Sequence, residues 1–239
     1  MSTIIKKELN YFFSTAVGYI VIALFLITNM LFLWVLPGQY NILDSGYASV
    51  DGLFVLAPWL FLFLCPAITM RMVAEERQTG TIETMLTKPV SVTTVVVSKW
   101  VAASILVLVS LLPTLVWYVM VFFLAEPVGN VDGGAFWGSW IGLAMLAMLY
   151  SAIGLLGSSL TKSQIVAFVA SAAISFLMYY GFELAGSLLP GRQAYYLQMF
   201  GIDAHYKSIA RGVLDSRDIV YYLAATTLFL WLAIKKIDN

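Results

Sequence analysis

Long apolar runs separated by short polar segments dominate this sequence. Six runs lie at residues 17–36, 53–70, 101–125, 137–160, 165–189 and 219–234. A helix needs about 20 mainly apolar residues to cross the hydrocarbon core of a bilayer. Because only helices satisfy their own backbone hydrogen bonds in lipid at this length, the pattern predicts an all-α integral membrane protein with six transmembrane helices in one domain.

The composition agrees with a membrane protein. Hydrophobic residues make up 61% of the chain and charged residues 11%, whereas a soluble domain has about 25% charged residues. The net charge is zero, which does not favour a nucleic-acid partner. With one cysteine and one histidine in the chain, no metal site is predicted.

The distribution of lysine and arginine predicts the orientation. With the N-terminus inside, nine of these residues fall on the inner side and four on the outer side. Positive residues favour the cytoplasmic side, so both termini are predicted to be cytoplasmic.

The N-terminal segment, residues 1–15, has an amphipathic pattern. At about 100° per residue its apolar and polar side chains fall on two sides of a helix. Such a helix would lie in the plane of the membrane surface. The alternative is a short disordered tail.

A short helix, Ile82–Lys88, is predicted within the largest inner segment, residues 71–99. Gly80 can end the preceding helix and Thr81 can cap the new one, while Pro89 stops it. A short helix with apolar and charged residues suits docking into a groove of a partner protein. The alternative is a loop that only links two spans.

The inner segment carries a resemblance to a known family. Its sequence EERQTGTIETMLTKPVSVTTVVVSK resembles the signature of ABC-2 type transporter permeases. The matching residues are Glu75, Glu76, Gly80, Thr81, Glu83, Leu86, Pro89 and Val90. A second stretch, GIDAHYKSIARGVLDSRDIVYYL, is similar to the segment before the last span in the subgroup that contains the gliding-motility-associated ABC transporter permease.

The resemblance implies the partners and the division of labour. Such permeases pair on two ATPase subunits, which bind ATP and Mg²⁺, and the permease holds no cofactor or catalytic residue. The helix Ile82–Lys88 would be the coupling helix, and Glu75 and Glu76 would lie at the junction with the ATPase. The resemblance further implies an exporter in the bacterial inner membrane and a role in gliding motility. Its second permease would be a different chain with an extracytoplasmic domain.

The sequence itself contains no ATPase motif. A P-loop requires a glycine followed by lysine, and none of the 17 glycines has lysine after it. We therefore predict a transporter subunit without its own ATPase site. The alternatives are a carrier that ATP does not drive and a structural subunit of an envelope assembly. The transported substrate is not indicated.

The outer segment, residues 190–218, has apolar residues at helical spacing with breaks predicted at Gly201 and Gly212. It either re-enters the outer leaflet or lies on the surface. Glu183, near the outer end of the fifth run, is a candidate for transport or for pairing with Arg192. The residues predicted for an outer gate are Glu183, Tyr195, Tyr206 and Arg211.

Overall fold

The protein is described by a computed structural model that covers residues 1–82, 90–213 and 215–238. Within these ranges the regular elements are helices. They are α1 (Ser2–Ser14), α2 (Ala16–Met30), α3 (Asp51–Gln78), α4 (Val92–Leu111), α5 (Leu115–Leu124), α6 (Gly133–Leu160), α7 (Gln164–Phe176), α8 (Phe182–Ser187), α9 (Arg192–Gln198), α10 (Ile202–Ile209) and α11 (Ser216–Asp238).

The prediction of an all-α protein with six candidate spans is confirmed for the described residues. Six helices are long and apolar enough to cross a membrane: Ala16–Val35, Asp51–Gln78, Val92–Leu124, Gly133–Leu160, Gln164–Ser187 and Ser216–Asp238. Several extend past the apolar runs in the sequence. The second candidate span has 28 residues, because charged residues continue the helix beyond its apolar part.

Proline affects two of the spans differently. α3 continues unbroken through Pro58 and Pro66. At Pro113 the chain tightens into a 3₁₀ turn, Leu112–Thr114, which joins α4 to α5. A proline lacks the backbone N–H that would continue the α-helical hydrogen bonding, so a local change of helix type is the expected response at Pro113.

α6 is the central helix of the bundle. In its most apolar 18-residue stretch, 78% of the residues are buried, which is the highest share among the six spans. Two glycines explain how neighbours approach it closely. A Cβ atom at Gly154 would collide with Thr69 of α3, and one at Gly157 would collide with Ser171 of α7. Small residues permit such close helix packing in a membrane protein.

α3 and α6 run side by side in the same direction, which defines the two ends of the bundle. Near their C-terminal ends the Ser158 hydroxyl donates to the Met70 carbonyl over 2.9 Å. Near their N-terminal ends the rings of Phe54 and Phe136 lie 5.6 Å apart. α1 packs at the first end and α10 at the second, so we call these the α1 end and the α10 end.

Candidate functional site

The most strongly charged buried site lies at the α1 end, where α4 begins. The Ser91 hydroxyl accepts the backbone N–H of Thr94 over 3.2 Å, which confirms the predicted helix cap. Lys99 follows two turns later, and its side chain is fully buried. A lysine is almost never fully buried unless it is paired, so its partners define the site.

Lys99 lies between two carboxylates from different helices. Its Nζ is 2.7 Å from Oε1 of Glu8 in α1 and 2.9 Å from Oε1 of Glu76 in α3. It also donates to the backbone carbonyl of Met72 over 2.7 Å. Lys7 approaches the same Glu76 oxygen at 2.8 Å. We call Lys7, Glu8, Glu76 and Lys99 the Lys99 cluster.

Lys7 remains a cation in this cluster. Burial alone would lower the pKa of Lys7, but the hydrogen bond and charge of Glu76, helped by Glu8 and Glu75, outweigh burial and raise that pKa above its ordinary value. The formal charges of the two lysines and the two glutamates in the cluster balance.

A serine of α6 binds the same part of α3. The Ser158 hydroxyl accepts the backbone N–H groups of Val73 and Ala74 over 3.1 and 3.0 Å, and it donates to the carbonyl of Met70. Lys99 of α4 binds the Met72 carbonyl, and Ser158 of α6 binds the three groups just named. Side chains of α4 and α6 therefore bind four backbone groups near the C-terminal end of α3. This end of α3 is thus bound by α1, α4 and α6.

The predicted coupling residues lie only partly within the described chain. Glu75 and Glu76 are in the last turns of α3, and Glu76 belongs to the Lys99 cluster. Gly80 has a φ of +71°, which favours glycine and agrees with its predicted place after the end of α3. Thr81 follows it, with its hydroxyl donating to the Glu76 carbonyl over 3.4 Å. The other three, Glu83, Leu86 and Pro89, and nearly all of the predicted helix Ile82–Lys88, lie outside the described residues.

A second charged group occupies the α10 end. Lys207 of α10 lies 2.9 Å from Glu183 of α8 and 2.6 Å from Asp203 one turn earlier. We call these three residues the Lys207 cluster. The suggested pairing of Glu183 with Arg192 is wrong, because the fold of α10 against α8 brings Lys207 to Glu183 instead.

Burial and neighbouring charges shift the pKa values of Asp203 and Lys207 in the Lys207 cluster. Burial raises the pKa of Asp203 above its ordinary value, and the nearby Lys207 only partly offsets this effect. For Lys207, burial acts to lower the pKa, and the two carboxylates outweigh it and raise that pKa. The ammonium of Lys207 is therefore stable at neutral pH.

The other residues predicted for an outer gate are not brought together. Tyr206 is buried, and its hydroxyl donates to the carbonyl of Phe54 over 2.7 Å. Tyr195 and Arg211 are exposed. The predicted breaks at Gly201 and Gly212 do fall outside α10, whose apolar side packs on α3 and α6.

Sequence reasoning missed the central residues of the Lys99 cluster. In the sequence, Lys99 is one of the nine positive residues on the inner side, and Glu8 is one residue of the amphipathic N-terminal segment. One signal was available: Lys99 falls within the helix that Ser91 starts, with valine, serine and tryptophan around it. A lysine at such a position needs a carboxylate partner, although its identity could not be read from the sequence.

These observations define a helical, multi-pass membrane protein with charged groups confined to the two ends of its bundle. In the described part of the chain, no three His, Cys, Asp or Glu side chains form a group that could hold a metal ion. A family model described as ABC-2 family transporter protein matches residues 37–190, which is more than half of the sequence. The chain belongs to this family and is a membrane permease of an ABC transporter, a class that associates with ABC ATPase subunits. No curated protein matches the chain.

Proposed function

We propose that the chain is the membrane-spanning subunit of an exporter-type ABC transporter, and that ATP hydrolysis on a separate ATPase chain drives it. Two ATPase subunits would bind ATP and Mg²⁺, and both termini of this chain would face the cytoplasm of a bacterial inner membrane. The observation that carries the proposal, beside the family membership, is the Lys99 cluster. It connects α1, α3 and α4, and three of its members line the same cavity as Thr79 and Thr81.

The cluster explains how force could pass from the ATPase into the spans. A push on the segment after Gly80 acts on the C-terminal end of α3, which is bound to α1 and α4 through Glu76 and to α6 through Ser158. Because packed interfaces rearrange between discrete states rather than deforming gradually, these four helices would move as a unit. Glu83, Leu86 and Pro89 remain proposed coupling residues on the family signature alone.

The process and the second permease are proposed from the second resemblance in the sequence. The stretch Gly201–Leu223 resembles the gliding-motility subgroup, which favours work in gliding motility and a second, different permease chain with an extracytoplasmic domain. The residues Glu183, Tyr195, Tyr206 and Arg211 remain the proposed outer gate, with Glu183 acting through Lys207.

The first test is purification of the tagged chain from native membranes in mild detergent, with identification of every protein that co-purifies. A P-loop ATPase in near-equal amount is the expected result. A second membrane chain would identify the permease partner. If no ATPase co-purifies under conditions that preserve other ABC complexes, the chain is a carrier independent of ATP or a structural subunit, and the proposal is wrong.

A matched pair of variants tests the coupling. Lys7 binds Glu76, whereas the neighbouring exposed Lys6 forms no ion pair within the described residues. In the reconstituted complex we expect Lys7→Met to reduce the stimulation of ATPase activity by the permease while the ATPase still co-purifies. Lys6→Met should leave stimulation unchanged, and equal effects of the two substitutions would contradict a role for the Lys99 cluster.

A further inference from the structure

A second pair of charges lies beside the Lys99 cluster and is not neutralised by it. Arg71 and Glu75 are one turn apart on α3, a spacing at which opposite charges often pair. Within the described ranges, neither takes part in an ion pair shorter than 4.0 Å. The guanidinium of Arg71 and the carboxylate of Glu75 therefore remain separate and can each contact a ligand. The charges of the neighbouring Lys99 cluster balance one another.

Tyr11 of α1 keeps the two charges apart. The guanidinium carbon of Arg71 lies 4.3 Å from the centre of the Tyr11 ring, which is the geometry of a cation–π contact. The hydroxyl of the same tyrosine donates to Oε1 of Glu75 over 3.1 Å. Arg71 and Glu75 are thus fixed on the face and at the hydroxyl end of one aromatic side chain.

Most of the hydrogen-bonding capacity of Arg71 is unused. A guanidinium group has five N–H donors, and the described contacts of Arg71 include one hydrogen bond, from Nη1 to Oγ1 of Thr15 over 3.4 Å. A planar guanidinium matches the oxygens of a phosphate in a two-point contact. Arg71 is therefore the group on this surface best suited to bind a phosphate.

The position of the pair along the bundle indicates where such a phosphate would come from. Thr15 directly precedes the first candidate span, Ala16–Val35, and the apolar run of α3 ends at Met70, one residue before Arg71. Arg71 is thus level with the boundary between apolar and polar surface on two adjacent helices. Phospholipid headgroups lie at that boundary.

A cavity is present at this place. It has a volume of about 220 Å³, and its lining includes Tyr11, Arg71, Glu75, Thr79 and Thr81, with Met72 and with Lys7, Glu8 and Glu76 of the Lys99 cluster on one side. Lys7, Glu8 and Glu76 are already engaged in the ion pairs of the Lys99 cluster. Arg71, Glu75 and the hydroxyl groups are left to contact a ligand, which matches a small polar group that carries both charges.

We propose that this cavity binds the phosphoethanolamine headgroup of a phospholipid, with the phosphate on Arg71 and the primary ammonium on Glu75. A glycerol headgroup could donate a hydroxyl hydrogen bond to the Glu75 carboxylate, but it brings no positive charge to pair with it. A choline headgroup has no N–H to donate to that carboxylate. The proposal does not rest on the function proposed above, because the site is built from residues of this chain alone.

Lipid retention by the purified chain tests the site. The chain in detergent is incubated with phosphatidylethanolamine, phosphatidylglycerol or phosphatidylcholine of identical acyl chains, and the bound lipid is counted by native mass spectrometry. We expect phosphatidylethanolamine to be retained best, and Arg71→Gln to reduce its retention by about tenfold, since charge-assisted hydrogen bonds are roughly twice as strong as neutral ones. Arg77→Gln is the matched control, because Arg77 lies on the same helix but donates to the Lys236 carbonyl.

A second variant separates a headgroup site from a general loss of structure. Glu75→Gln removes the partner of the ammonium and leaves Arg71 in place, so it should abolish the preference for phosphatidylethanolamine over phosphatidylglycerol while total lipid retention persists. This change of preference would occur only in a folded chain. An unchanged preference in Glu75→Gln would overturn the proposal.

Further outcomes would also overturn it. If the three lipids are retained equally, or if Arg71→Gln and Arg77→Gln behave alike, the cavity does not recognise the headgroup. If inorganic phosphate or free phosphoethanolamine displaces the lipid at millimolar concentration, the site binds a soluble phosphate. If Arg71→Gln keeps the lipid but loses a co-purifying protein, the cavity is a protein contact.

Discussion

Lys99 and Lys207 each lie between two carboxylates, at opposite ends of the bundle. Lys99 contacts Glu8 and Glu76 at 2.7 and 2.9 Å, and its side chain is 0% exposed. Lys207 contacts Glu183 and Asp203 at 2.9 and 2.6 Å, and its side chain is 58% exposed.

The distances in the two clusters are similar, so the two ends differ mainly in how much of the lysine side chain is exposed to solvent. Charges in water attract each other weakly and gain little from pairing, whereas a buried charge that loses its partner is costly. From the distances alone, the two clusters would be expected to contribute equally to the stability of the protein. Burial indicates that the Lys99 cluster fixes helices to one another, while the Lys207 cluster can open and close at small cost.

The largest predicted effect is that of Lys99→Met. Removing this ammonium leaves the buried Glu8 without its closest counter-charge and the Met72 carbonyl without its donor. We expect the free energy of unfolding in detergent micelles, measured by denaturant titration, to fall by about 3–5 kcal/mol. A loss no larger than that of Lys207→Met would contradict the comparison.

The double variant Glu8→Gln with Lys99→Met is the internal control. It removes one buried charge of each sign and leaves Lys7 paired with Glu76, which lies 2.8 Å away. Because replacing a buried ion pair by neutral groups is often nearly neutral, the double variant should regain more than half of the stability lost in Lys99→Met. If the stability lost in the double variant equals the sum of the losses in Glu8→Gln and Lys99→Met alone, the cost arises from packing and not from unpaired charge.

An intermediate effect is expected for Ser158→Ala at the α1 end. The substitution removes the three hydrogen bonds that join α6 to the Met70 carbonyl and to the N–H groups of Val73 and Ala74. A hydrogen bond contributes about 0.5–1.5 kcal/mol. Ser187→Ala at the other end is the control, since that exposed hydroxyl binds only the Leu184 carbonyl within its own helix. The same unfolding measurement should place the control within about 0.5 kcal/mol of the unmodified protein.

The smallest effect is expected for Lys207→Met. The lysine is largely in water, and Asp203, whose pKa burial already raises, can take up a proton when its partner is removed. We expect a loss of up to about 1 kcal/mol that decreases as salt is added, because salt screens exposed charges. The loss in Lys99→Met should not change with salt, and salt sensitivity there would show that water reaches the Lys99 cluster.

The sequence predicted local features of both ends correctly. Ser91 caps α4, and Gly80 follows the end of α3, because capping and the left-handed conformation depend on one residue and its nearest neighbours. At the other end, the glycines flanking α10 predicted where that short helix stops. None of these features required knowledge of which helices are neighbours.

The charged contacts could not be predicted in the same way. Lys99 and Glu8 are 91 positions apart, and Lys207 and Glu183 are 24 apart. For Glu183, the sequence suggested Arg192 as one possible partner, since it is closer in the chain, but the packing of α10 on α3 and α6 brings Lys207 to Glu183 instead. Arg71 and Glu75 have pairing spacing in the sequence, yet Tyr11 from another helix lies between them.

The sequence by itself determined that this chain is an all-helical membrane protein with six candidate spans, since lipid accepts only long apolar helices and each run can be recognised without its neighbours. It also determined the family, through a signature within one segment. Only the tertiary structure decided which charges are paired and which are removed from water. A charge has no fixed energetic value along the chain, because its contribution depends on the solvent and the partners that the packed helices leave around it.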